Sequence, residues 1–137
     1  MGPISFSTMS INVYEQNRIL GASPVELVRI LHDAAVNSVR DAVYYLRSGD
    51  IAGRSRAINK AQMIILELAT SLDRAEHQEY PERLLALYDY MLVRLSEANL
   101  KQIEEPLAEV GRLLSTLQEG WAGAAASEEL EPALAAR

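Results

Sequence analysis

Residues able to carry acid–base or metal chemistry are few in this chain. Its 137 residues include two histidines and no cysteine, so neither a thiol nucleophile nor a disulfide enters the chemistry. The periodicity puts His32 at the polar edge of one helix and His77 in a polar link. Metal-binding helical bundles present Glu-x-x-His pairs. Here Arg29 and Arg74 stand where those glutamates would be. No HExxH, P-loop or GxGxxG pattern occurs. Asp89, Glu97, Glu104 and Glu105 gather around one predicted helix end, where carboxylates are ordinarily solvated. Arg54, Arg56 and Arg94 are singly spaced and read as solubilising charge. Asn99 lies on an apolar face near a helix end, placed to bond free carbonyls there. The expectation is a protein that is not an enzyme. A small bundle enzyme using Glu97 or His32 ranks as the third reading.

Composition narrows the remaining classes. A chain of 137 residues is one domain by prior and buries roughly two thirds of its unfolded surface. The net charge is −6, from 19 acidic and 13 basic residues. An acidic chain without a basic stripe is a poor nucleic-acid or anionic-membrane binder. No apolar run is long enough for a membrane span, and no signal peptide opens the chain. The cytosol is the expected location. Plentiful Ala, Leu, Glu and Arg, with sparse Gly and Pro at breaks, indicate an all-α fold.

The spacing places four helices. Residues 1–21 read as a flexible N-terminal arm with Val13, Tyr14, Ile19 and Leu20 as apolar anchors. Within it, Met1-Gly2-Pro3 has the look of an appended leader, with Met9 as an alternative start. Ser23-Pro24-Val25-Glu26 is a capping box that starts a helix ending near Arg47, with Gly49 as its left-handed stop; its seam is Leu27, Leu31, Ala34, Ser38, Ala42 and Tyr45, with Val28, Ala35 and Leu46 beside it. Asp50 caps a second helix, about residues 51–72, with Ile58, Ala61, Ile65, Leu68 and Leu72 as its seam. Asp73 to Glu79 is a polar link, and Pro81 opens the third helix. There Leu84, Tyr88, Met91, Leu95 and Ala98 recur at steps of four and three, one face of a helix. Pro106 opens a fourth helix with seam Leu107, Val110, Leu114, Leu117 and Trp121. The predicted fold is an antiparallel up-and-down four-helix bundle spanning residues 22–121. Residues 122–137 form an acidic, Ala-rich tail, read either as a short fifth helix before Pro132 or as a segment without fixed structure.

More apolar residues are present than the four seams use. Met63 and Leu66 fall off the second seam; Ala86, Tyr90 and Val93 fall on the back of the third helix; Val36 and Val43 widen the first. Taken singly, each is a plausible core residue. Taken together they form a surface in want of a partner, and a groove beside the second and third helices suits an amphipathic helix. An alternative is a homodimer pairing through the outer face of the third helix around Tyr90.

Four segments in order resemble the flagellin-specific export chaperone family (FliS). They are Ile19–Ala35, Asn59–Leu68 with Leu72-Asp73, Leu87–Lys101, and Pro106–Trp121. The 73–79 link departs from the family pattern in lacking a Gly pair. The resemblance implies a four-helix bundle that binds the C-terminal segment of flagellin in the cytosol, prevents premature polymerisation and supports delivery to the flagellar export apparatus. Contact with an export-gate subunit or a cochaperone is also compatible with it. It implies neither nucleotide nor metal. By the same resemblance the arm lies over part of the groove, with Tyr14, Ile19 and Leu20 as its anchors. The expected partner-binding set is therefore Tyr14, Ile19, Leu20, Met63, Leu66, Ala86, Tyr90 and Val93.

Overall fold

The computed structural model describes residues 24–73 and 82–135. The helices are α1 (Pro24–Ser48), α2 (Ile51–Asp73), α3 (Glu82–Lys101) and α4 (Glu105–Ala135). Among the described residues there is no strand. Helices α1 and α3 each pack on both α2 and α4, which closes a four-sided bundle. Cross-links fix the directions. Arg54 meets Asn99 while Gln62 meets Ser96, so α2 and α3 run antiparallel. Arg47 meets Glu104 while Gln118 meets Asp33, so α1 and α4 do too.

The caps follow from local chemistry. Gly49 has φ 78°, a left-handed conformation that a side chain resists. Its N–H donates to Leu46 at 3.2 Å and the Asp50 N–H donates to Tyr45 at 2.9 Å, the paired bonds of a Schellman stop. Asp50 Oδ1 then accepts from the Gly53 N–H at 2.8 Å, capping α2 as its residue type predicts. Gly53 is required for space: a Cβ there would lie 2.6 Å from the Tyr45 ring. At the same end of the bundle Gln102 serves as a left-handed stop to α3 with φ 57°. Ser23, Pro81 and all of the 73–79 link except Asp73, which ends α2, lie outside the described residues. The backbone of α4 runs unbroken to Ala135, so no separate fifth helix forms among the described residues. Its Ala- and Glu-rich composition favours continuation, against a cost of about 1 kcal/mol for each glycine and about 3 kcal/mol for Pro132, which lies inside α4 and not beyond its end.

The core is made from the predicted seams. Leu31, Ala35, Ile58, Ala61, Ile65, Leu68, Tyr88, Met91, Leu95, Ala98, Leu107, Val110 and Leu114 are all buried. Helix α1 buries a wider arc than one seam because α2 and α4 cover it from two sides. Val36 is therefore buried and Val43 half-buried against the core, and neither belongs to an exposed α2–α3 surface.

Three polar residues also depart from expectation. His32 is not at a polar edge but fully buried. Its Nδ1 lies 3.0 Å from the Val28 carbonyl, which only accepts, so Nδ1 carries the proton. Nε2 then accepts from the Tyr88 hydroxyl at 3.0 Å, a bond crossing the bundle from α1 to α3. Arg54 is buried rather than solubilising. Its guanidinium donates to Asn99 Oδ1 at 3.1 Å and to the Asn99 carbonyl at 3.4 Å. A cation beside the carbonyl end of α3 is favourable there, which offsets its poor position at the start of α2. Asn99 itself does not reach back to its own helix end; its Oδ1 also accepts from Ser55 at 3.1 Å.

Burial holds His32 below the ordinary histidine range, against the raising influence of the Val28 bond and Asp33. As pH falls, the unfolded chain takes up this proton first, so stability drops. The loss begins near the unfolded value of about 6.5 and continues down to the depressed native value, with a limiting slope of about 1.4 kcal/mol per pH unit. Denaturant midpoints between pH 7 and 5 should fall in the wild type and fall less in His32→Gln. Parallel profiles would show that His32 is not the responsible group.

Candidate partner-binding surface

Helices α2 and α3 leave large apolar side chains in solvent although the core is complete without them. Met63 is 45% exposed, Leu66 56%, Tyr90 43% and Val93 65%. Ala86 is exposed as well. Leu100, absent from the predicted set, is 81% exposed on α3. Its signal was present in the sequence, because it lies two helical turns beyond Val93 on the outward face.

The structure divides the predicted set in two. Gln62 Nε2 donates to the Leu92 carbonyl at 3.2 Å and to Ser96 Oγ at 2.8 Å, joining α2 to α3. Met63 and Leu66 leave α2 beside this link, and Val93 leaves α3 beside it. Tyr90 turns the other way. Its hydroxyl donates to the Glu109 carboxylate of α4 at 2.8 Å, so its tip is tied and not free in water. Ala86 lies one turn before Tyr90 and two turns before Val93, on the outward face between the two. Tyr14, Ile19 and Leu20 lie outside the described residues.

Beside Tyr90 sits a charge network that singly spaced arginines and a loose acidic group did not foretell. Arg94 pairs with Glu97 at 2.7 Å, with Glu109 at 2.6 Å and with Glu105. The three carboxylates hold its guanidinium above its ordinary range. Lys101, then Arg94, lowers the Glu97 carboxyl; Tyr90, then Arg94, lowers that of Glu109. Glu104, lowered by Arg47, pairs with it at 2.6 Å across the same end of the bundle. Glu104, Glu105 and Glu109 thus tie α4 and the turn before it to α1 and α3, whereas Glu97 pairs within α3 with Arg94 and Lys101; Asp89 makes no ion pair among the described residues. Nothing in this arrangement aligns a nucleophile with a base. No group of three or more His, Cys, Asp or Glu side chains among the described residues is placed to hold a metal ion. No helix among them is long and apolar enough to cross a membrane.

A bundle with a complete core and surplus apolar surface on adjacent helices is a scaffold for binding. The family model described as flagellar protein FliS matches residues 7–128. The chain belongs to the FliS family. The flagellar secretion chaperone FliS of Salmonella typhimurium is 34% identical over 121 residues, covering 85% of this chain and 90% of that protein. The Bacillus subtilis flagellar secretion chaperone FliS is 34% identical over 115 residues, covering 84% and 85%. That of Escherichia coli is 30% identical over 107 residues, covering 77% and 79%. The FliS match extends across all four helices, the α3 segment Leu87–Lys101 included.

Proposed function

We propose that this chain is a cytosolic secretion chaperone that binds the C-terminal segment of flagellin, keeps it from polymerising early and supports its delivery to the flagellar export apparatus. The observation that carries the proposal is the exposed apolar set on α2 and α3, with Leu66 and Val93 each more than half exposed, in a member of the FliS family. The first contact surface is the Met63–Leu66–Val93 strip; Ala86 and the ring of Tyr90 extend it toward α4. Tyr14, Ile19 and Leu20 act as anchors by which the arm shields this surface when no client is bound. A tethered arm competes at an effective concentration around millimolar, enough to cover a weakly apolar patch yet yield to a tighter client. A client that folds on binding buries roughly 1,000–3,000 Å² while ordering opposes part of the gain, which combines specificity with release.

A pull-down of full-length and C-terminally truncated flagellin tests the proposal. Full-length flagellin should be retained and the truncated form lost, and sedimentation should show a monomer shifting to a 1:1 complex. Equal retention of both forms would put the recognised segment elsewhere. A stable homodimer broken by Val93→Asp would favour self-association through α3 instead.

A further inference from the structure

We propose that the cleft between α1 and α4 is a second docking surface, one that takes a single amphipathic helix of another protein whose apolar stripe is flanked by carboxylates. The cleft encloses about 880 Å³. Its floor is apolar, formed by Val36, Val39 and Val43 of α1 with Leu107 and Gly111 of α4. From Val36 to Arg47 it runs about 16 Å along α1, enough to seat three turns of a helix. A Cβ at Gly111 would stand 3.7 Å from Val39, an ordinary contact. The glycine thus leaves one more hollow in the floor and is not forced by crowding.

Charge selects the occupant. Arg40 on one wall and Arg112 on the other are both exposed lining residues. Arg40 donates to the neutral Asn37 at 3.1 Å; Arg112 helps Tyr90 and Arg94 to lower the Glu109 carboxyl but makes no ion pair with it among the described residues. Arg47 closes one end, already paired with Glu104. This is a basic rim on a chain of net charge −6. The α2–α3 strip is different: its border is mixed, with exposed Arg56 beside Glu67 and Asp89. Two apolar surfaces with unlike borders favour unlike partners, because border charge sets which partner is accepted more than it sets raw affinity. The α2–α3 strip thus remains available to a client while the cleft holds a second protein.

Two fluorescent peptides of about 18 residues, long enough to form helix, provide the test. They share one Leu/Ile stripe and differ only in carrying Glu or Lys on its flanks. The Glu-flanked peptide should bind the full chain roughly tenfold more tightly than the Lys-flanked one, and should weaken with added salt. Arg40→Glu combined with Arg112→Glu should erase that preference, and Gly111→Leu should weaken both peptides by filling the floor. Leu66→Asp should leave peptide binding unchanged, which separates this site from the flagellin surface. Circular dichroism checks that each variant stays folded. Equal binding of the two peptides, or indifference to the arginine reversals, would overturn the proposal. So would binding seen only after residues 1–20 are removed, which would make the chain's own arm the occupant. A dimer dissociated by Arg112→Glu would make a second copy the occupant. Displacement of the peptide by the flagellin C-terminal segment would merge the two surfaces into one.

Discussion

Leu95→Asp should leave the chain without a cooperative folded state at room temperature. Leu95 is fully buried on α3, between the equally buried Met91 and Ala98. Removing most of a buried leucine costs about 2–5 kcal/mol. A carboxylate with no cation beside it adds a desolvation penalty of several kcal/mol more. A domain of this size holds only about 5–15 kcal/mol in total, so the sum consumes most or all of its stability. A thermal scan by far-ultraviolet circular dichroism should show the wild-type transition lost. The control lies two residues away. Val93→Asp sits on the 65%-exposed back of the same helix and should shift stability by no more than about 0.5 kcal/mol. Similar melting of the two variants would mean that the faces of α3 have been assigned the wrong way round.

The second large effect concerns binding. Leu66→Asp combined with Val93→Asp should lower affinity for the flagellin C-terminal segment by about a hundredfold or more while the bundle stays folded. Covering an apolar side chain of this size contributes about 1.5–3 kcal/mol, and two carboxylates left under an apolar client add desolvation cost. Each factor of ten in affinity is about 1.4 kcal/mol, so a hundredfold is the conservative end of this sum. Titration calorimetry measures it directly. Unchanged affinity in the double variant would remove the α2–α3 strip from the client site. Tyr90→Asp is a poorer probe than its exposure implies. It would break the hydrogen bond to Glu109 and place a third carboxylate near Glu105 and Glu109, which Arg94 already has to hold together. Tyr90→Phe isolates the hydroxyl without that repulsion.

The bundle was legible because its signals are local. Steps of three and four along Tyr88, Met91, Leu95 and Ala98 name a buried face whatever lies opposite it. Gly49 and Asp50 announce a stop and a start through their own backbone and side-chain preferences, and both perform them. The exposed set on α2 and α3 was legible for the complementary reason: Met63, Leu66 and Val93 lie off every seam, and among the described residues no other helix covers them.

What spacing left undecided depends on neighbours. Val36 and Val43 lie off the seam of α1 just as Val93 lies off that of α3, yet they fall on the flank that faces α4 and join the core and the α1–α4 cleft, whereas Val93 points outward between the neighbours of α3. Periodicity places His32 at a polar edge, and single spacing makes Arg54 read as solvated charge. They are buried because Tyr88 and Asn99, 56 and 45 positions away, supply the partners that make burial tolerable. Arg94 looked isolated until the turn after α3 brought Glu105 and Glu109 back against it. Helix limits, caps and seams thus follow from chemistry within a few residues of each position. The fate of an off-seam or polar residue rests on which group from a distant segment meets it, and only packing the four helices together makes that choice.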